Sequence, residues 1–388
     1  MITPYIKESF KRGCVQIVRR PMYILMIIIM PVLCTWFLMD LMKTGTVQHV
    51  PVGIVDQDNS SLSRQLCRNL NAFQQVNICQ RYATFDEARD AVQRGEVLGF
   101  FYIPNDLESR ALGGRQPVVS YYVNYAYYGP ASMQYKGFKT ISLLANGAVV
   151  QTALRTVGLR DEQISAALQP FATHVYMKGN PWINYNYYLN ASFVPCFLSL
   201  LILMVTAFSL GTELKSGLCR QWLRACGDSM PLALAGKLLP QTILFTAVGW
   251  TIQLIMYRGF DFPLHCNPWN MLLAMSLLVM ANQGFAILMF CVAPNFRYGT
   301  TLCTLLGMVS FSFCGFSLPE ESMYPWVTAL GYVMPVKYYF LIVTDQALNG
   351  IDLYYSRCYY AALIGFALLP TLMLWRIKRE CKNPVYVP

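Results

Sequence analysis

Long apolar runs alternate with polar stretches along this chain, and their spacing predicts its architecture. Six runs have about the 20 residues that a helix needs to cross the hydrocarbon of a bilayer. They fall at positions 22–41, 191–210, 237–257, 269–293, 299–318 and 359–375. Pro31, inside the first run, predicts a kink. Only "PNFRYG" separates the fourth run from the fifth, which predicts a tight hairpin. Between the first two runs the pattern changes. Short β-forming runs at 50–55, 76–82, 98–103 and 118–123 alternate with amphipathic stretches at 61–72 and 84–94. Helical patterns at 130–157 and 160–168 follow. The fold class expected is an α-helical polytopic membrane protein with six transmembrane helices, and a small α/β (α+β) domain inserted after the first.

Composition narrows this picture. Of 388 residues, 55% are hydrophobic and 13% charged, and mean hydropathy is +0.37. That is too little polar surface to cover a soluble globule of this size. The net charge of +10 invites a nucleic-acid reading, but its placement argues for a membrane. Lys7, Lys11, Arg12, Arg19 and Arg20 precede the first run, and Arg376, Lys378, Arg379 and Lys382 follow the last. Basic residues flanking spans mark the cytoplasmic side, so both termini are expected inside, which requires an even number of spans. The loop with Lys215, Arg220 and Arg224 and the turn with Arg297 also fall inside. The segments 258–268 and 319–357 are poorer in basic residues and fall outside. The expected order is a cytoplasmic amphipathic segment (1–21), the first transmembrane helix (22–42) and an extracytoplasmic domain (43–188). Five further helices occupy 189–375, with a cytoplasmic helix near 212–226 and an outer re-entrant or loop region near 319–356; a cytoplasmic tail (376–388) closes the chain. The first run is too long for the apolar core of a cleaved signal peptide and lacks a small-residue cleavage site after Leu41, so it is expected to stay in the membrane.

Candidate chemistry changes little. The 13 cysteines form no C-x-x-C pair, and His49, His174 and His265 lie far apart, so no metal site is expected. Cys67 and Cys79 share the inserted domain; they could pair in an oxidising compartment or remain two small hydrophobes. "VGIVDQDNSSLSR" (52–64) delivers Asp56 and Asp58 to the end of a strand. Such carboxylates could hold Mg²⁺ or supply a phosphatase nucleophile, making the chain a membrane-anchored enzyme. The structural alternative is that Asp58, Asn59 or Ser60 caps the next helix, with the carboxylates favoured by its dipole. Tyr and Asn crowd "SYYVNYAYY" (120–128) and "NPWINYNYYLN" (180–190), as an interfacial belt or as a contact surface.

The stretch after the second run, "GTELKSGLCRQWLRACGDSMPLALAGKLLPQ" (211–241), is too polar to span and too regular for a random loop. Glu213, Lys215, Leu218, Trp222 and Leu223 can share the surface of a short amphipathic helix lying on the cytoplasmic face. Ser229 and Pro231 suit the start of the next helix. This region resembles permeases of the ABC-2 export type, which carry a Glu-containing amphipathic helix, a break and a Gly-Lys-Leu-x-Pro opening to the third span. Here these are Glu213, Gly217, Trp222–Leu223, Ser229 and Gly236–Lys237–Leu238–Leu239–Pro240. "FCGFSLPEESMYPWVTALGYVMPVKYYF" (313–340) is similar to the family's fifth-span ending. The domain opening, with "FDEARDAVQRGEVLGFFYIPNDLESRAL" after it, is similar to the long ABC-2 subgroup that includes drug-efflux permeases.

The resemblance implies the transmembrane subunit of an ATP-binding-cassette exporter in the cytoplasmic (inner) membrane. It implies two copies of an ABC ATPase subunit and a second permease chain, identical or a sister. A periplasmic adaptor and an outer-membrane channel are further candidate partners. Glu213, Lys215, Gly217, Arg220, Trp222, Leu223 and Arg224 would form the coupling element, and Gly315, Phe316, Pro319, Met323, Pro325 and Pro335 an outer gate. No G-x-x-x-x-G-K-[ST] motif occurs. The chain is therefore expected to be no enzyme and to need no cofactor, ATP being bound by its partner. Asp40 and Lys237 sit at run ends where water is expected within reach, which disfavours a proton relay. A membrane scaffold with an outer docking domain is the alternative to transport.

Overall fold

The computed structural model describes residues 3–113, 115–168, 176, 179–180, 184–316 and 320–382. The chain divides into two compact units, Met1–Gly45 with Met177–Pro388, and the inserted Thr46–Tyr176.

In the inserted unit the four strands are β1 (Val50–Asp56), β2 (Val76–Tyr82), β3 (Gly99–Ile103) and β4 (Ser120–Val123). They form one sheet in the order β2-β1-β3-β4, with β1 parallel to both neighbours and β4 antiparallel to β3. β1 is central because "VPVGIVD" is apolar almost throughout, as a strand covered on both faces must be. Adjacent residues serve opposite faces. Val52, Ile54 and Phe101 pack under α3 (Ser61–Asn71) and the long α6 (Tyr128–Thr156). Val55 and Phe100 pack under α4 (Phe85–Arg94). Both short helices have sequence-encoded starts. Ser60 accepts from Ser63 N at 3.1 Å, and Thr84 accepts from Glu87 N at 3.3 Å. A small helix α5 (Leu107–Leu112) and a short α7 (Asp161–Leu168) complete the unit. Cys67 is buried and Cys79 exposed, and both are free thiols. Burial pushes the Cys67 thiol up to about 11.

The other unit is helical. An amphipathic α1 (Thr3–Arg19) leads into α2 (Pro21–Leu41). Then come α8 (Tyr185–Lys215), short α9 (Cys219–Ala225), α10 (Met230–Gly259), α11 (Pro268–Val292) and α12 (Phe296–Phe313). A broken pair, α13 (Pro325–Tyr332) and α14 (Pro335–Leu348), precedes α15 (Leu353–Lys382). Helices α2, α8, α10, α11 and α15 are each long and apolar enough to cross a membrane, and the broken pair makes a sixth if it counts as one span.

The expected fifth span is α12, which does not meet that standard of apolarity. Arg297 in its first turn and Thr300, Thr301 and Thr304 dilute its hydropathy, yet each threonine donates its hydroxyl to the carbonyl one turn back. That satisfies the hydroxyls inside the helix, so their cost in a membrane is lower than a hydropathy sum suggests. The helix packs along α8, where Phe193 and Phe311 stack at 4.3 Å and Gly307 lies against Leu200. Lipid offers no hydrophobic drive between helices, so such small-residue and stacking contacts hold the bundle together. α8 is its pillar, with 72% of its apolar stretch buried against 17% for α15. Asn282 on α11 donates to Ser199 on α8 at 3.0 Å.

Pro31 is accommodated by more than a kink. The turn Leu25–Ile29 just before it is a π-turn. Widening the ladder there relieves the clash between the proline ring and the preceding turn. Similar turns close α10 at Ile255–Gly259 and α14 at Val343–Leu348.

Candidate coupling site around Glu213

The expected amphipathic helix near 212–226 forms in two pieces. α8 continues to Lys215, the chain turns at Gly217 with φ +68°, and α9 follows from Cys219 to Ala225. Its apolar residues Cys219, Trp222 and Leu223 face inward, each 2% exposed or less. What covers them includes α1, which lies along α10 at close range. A Cβ on Gly13 would sit 2.5 Å from Lys237 O, and one on Gly236 would sit 2.9 Å from Ile6 O. Glycine at both positions lets the two backbones meet.

One carboxylate ties these helices together. Glu213, near the end of α8, is 7% exposed. Arg12 on α1 grips it in a fork, Nε to Oε1 at 3.1 Å and Nη2 to Oε2 at 2.6 Å. Lys237 on α10 reaches Oε1 at 2.8 Å and donates to Ser209 O at 3.0 Å. Its Nζ also lies 4.9 Å from the centre of the Trp222 ring. Trp222 Nε1 donates to Ser9 Oγ at 3.0 Å, and Ser9 Oγ donates to Ala233 O at 2.6 Å. Gln16 adds a second tie, donating to Thr212 Oγ1 at 2.9 Å and to Tyr23 Oη at 2.6 Å. α1, α8, α9 and α10 thus meet at a single buried anion flanked by two cations.

The expected coupling residues divide accordingly. Glu213, Trp222 and Leu223 are interior, while Lys215, Gly217, Arg220 and Arg224 are exposed. Lys7 and Lys11 on α1 are exposed as well. Asp40 is exposed as expected, but Lys237 is fully buried and does not reach water. The ties made by Arg12 and Ser9 escaped the sequence reading because their partners lie 201 or more residues away, and Lys237 reads as a span-end lysine because its anion sits on another helix. The signal present in the sequence was the pair of glycines, Gly13 and Gly236, at helical positions.

At the broken pair, a second buried cation went unread. Lys337 is fully buried, 2.9 Å from Glu320 and 3.5 Å from the centre of the Tyr332 ring. The ion contact is close but not directed as a good hydrogen bond. Tyr332 Oη donates to Glu320 Oε2 at 3.1 Å. Pro325 and Pro335 each open a helix, as proline at a first turn does. The two helices meet at 88°. Phe316 is buried among Tyr188, Phe311 and Phe340, and Tyr188 Oη donates to its carbonyl at 2.9 Å. Gly315 has φ +83° and Met323 is half-buried. Pro319 lies outside the described residues, as does Trp182 of the expected aromatic belt.

Asp56 and Asp58 of the inserted domain are held mainly by backbone N–H groups. Asp56 Oδ1 accepts from Asp58 N at 3.1 Å and Asn59 N at 3.0 Å, and its Oδ2 from Ser63 Oγ at 2.9 Å. Asp58 accepts from Leu107 N at 3.1 Å and Glu108 N at 3.2 Å, so it caps α5 rather than the adjacent α3. Burial pushes the Asp58 carboxyl up, but hydrogen bonds from Ser60 and from the backbone of Glu108, Leu107 and Asp106 outweigh that and hold it below the usual carboxylate range. Among the described residues no group of three or more His, Cys, Asp or Glu is placed to hold a metal ion. These aspartates build turns and a helix cap.

No individually curated protein matches the chain. The model of the family described as ABC-2 family transporter protein matches residues 21–376, from the start of α2 to α15, and the chain belongs to that family.

Proposed function

We propose that this chain is the permease subunit of an ATP-driven exporter, coupled to its ATPase through α9. ABC-2 permeases are membrane subunits that work with a separate ATPase subunit. The observation that carries the reading is the Glu213 clamp. A rigid tie among α1, α8, α9 and α10 is what a transmitter requires, because a push on α9 then moves the long helices α8 and α10 together. In this mechanism Lys215, Arg220 and Arg224 contact the ATPase, while Glu213, Trp222 and Leu223 pass the movement on.

Two ATPase copies and two permease chains complete the exporter, with both termini of this chain and α9 on the cytoplasmic side. The inserted domain faces the other side of the inner membrane, where an adaptor and outer-membrane channel could receive cargo. The 88° bend between α13 and α14 supports a re-entrant outer gate, since irregular backbone at membrane depth needs protein or a cavity around it. Apolar spans favour a small lipophilic or amphiphilic cargo, consistent with drug efflux.

The test is purification from native membranes with charge-reversed Arg220→Glu/Arg224→Glu alongside. An ATPase subunit is expected to accompany the native chain and to be lost from the variant. Failure of any ATPase to co-purify with the native chain overturns the proposal.

A further inference from the structure

The inserted domain contains a cavity of about 540 Å³ that transport by the helical unit does not call upon. It opens between α3, α5, the segment leading into β4, and α6. Its floor is apolar, formed by Leu66, Phe101 and Leu107, each 7% exposed or less. Val119, just before β4, and Val149 on α6 extend the apolar wall. The rim is polar: Arg115, Gln116, Ser142 and Asn146 line it, and none of these side chains has a hydrogen-bond or ion-pair partner among the described residues.

This combination selects a ligand class. The volume lies within the roughly 300–1,000 Å³ of small-molecule sites, which are mostly apolar with a few convergent polar groups. An apolar trough rewards each methylene removed from water. Arg115 is an exposed, unpartnered guanidinium, and its planar fork suits an anionic oxygen pair. Uncharged neighbours at the rim can share such a head group. The space suits one apolar limb rather than a whole two-chain lipid. We propose that this cavity binds a single-chain anionic amphiphile, with its chain in the trough and its acid group on Arg115. The site stands on the domain's own residues and does not depend on the transport reading.

The experiment uses the full chain in phosphatidylcholine nanodiscs and a palmitate analogue carrying a diazirine on its tail. After irradiation and digestion, label is expected on positions 107–119 and 142–150. Unlabelled palmitate should compete, and hexadecanol, which lacks the charge, should compete poorly. Arg115→Glu should cut labelling there about tenfold, as loss of a charge-assisted contact does. Ala145→Trp, which fills the trough, should abolish it, and the exposed position of Arg115 keeps the test valid if the filled variant misfolds. Label confined to the membrane-spanning helices overturns the proposal, as does labelling unchanged in Arg115→Glu or equally displaced by hexadecanol. Equal labelling by a two-chain phosphatidylglycerol probe that palmitate cannot displace overturns the single-chain assignment.

Discussion

Replacing Glu213 by alanine removes the anion from a site that retains two cations. Their surroundings decide the cost. The Arg12 side chain is 30% exposed and can turn toward water, whereas Lys237 is fully buried and keeps only Ser209 O and the Trp222 ring. An exposed ion pair contributes only ~0–1 kcal/mol. Breaking a buried pair by removing one partner costs ~3–5 kcal/mol, because the surviving charge is left uncompensated. At about 2 °C per kcal/mol for a chain of this size, Glu213→Ala should lower Tm by roughly 6–10 °C. The assay is loss of monodispersity of detergent-purified protein on heating at one fixed scan rate, with intrinsic tryptophan fluorescence as a second readout. Glu213→Ala combined with Lys237→Met removes both buried charges and should recover most of the loss, since an apolar substitute for a buried pair is often neutral. The reasoning is refuted if the single variant melts within about 1 °C of the native chain, or if the double variant is less stable than the single.

Arg220→Glu/Arg224→Glu should weaken ATPase association while leaving Tm nearly unchanged, because exposed substitutions usually stay within about 0.5 kcal/mol; an equal drop in Tm would assign these residues a structural role. Gly236→Val should detach α1 from α10, since a Cβ there lies 2.7 Å from Ser9 Cβ, and limited proteolysis should then cut around Lys7 and Lys11. At the broken pair, Glu320→Ala strands the buried Lys337 and should lower Tm more than Lys337→Met does; the reverse order in melting would contradict the assigned roles. For Asp58 the folded carboxyl lies below its unfolded value, so its stabilisation is present above the unfolded value near pH 4 and is lost as pH falls through the folded one. Asp58→Asn should therefore destabilise the chain at pH 7 and match the native chain in strong acid, as pH-dependent melting would record.

Most of the architecture was legible because bilayer thickness imposes a length on apolar runs that few other features mimic. The inserted domain was legible for a related reason, since strand and helix periods differ and Ser60 and Thr84 mark helix starts. Local patterns fail where the deciding partner is remote. Periodicity finds an apolar face on α9 but not its cover, so Trp222 and Leu223 read as docking residues although neighbouring helices of the same chain bury them. Lys237 reads as a span-end lysine because its neutralising anion lies on another helix. α12 shows the converse case, in which composition understates a helix whose threonines satisfy themselves. Asp58 was correctly read as a cap but assigned to the nearer helix, because its true recipient, α5, begins about 50 positions onward.

The Glu213 clamp also sets a schedule for biogenesis. Arg12 and Glu213 are 201 residues apart. At the ~5–20 residues per second of synthesis, roughly 10–40 s separate their emergence from the ribosome. Throughout that interval α1 has neither Glu213 nor α10 to rest against, and its apolar side must be sheltered by lipid or by a chaperone. The lock closes only once Lys237 has arrived at the start of α10. A nascent chain that stalls before that point leaves a cationic amphipathic helix unattached at the membrane, a feature by which quality-control proteases could distinguish unfinished copies from finished ones.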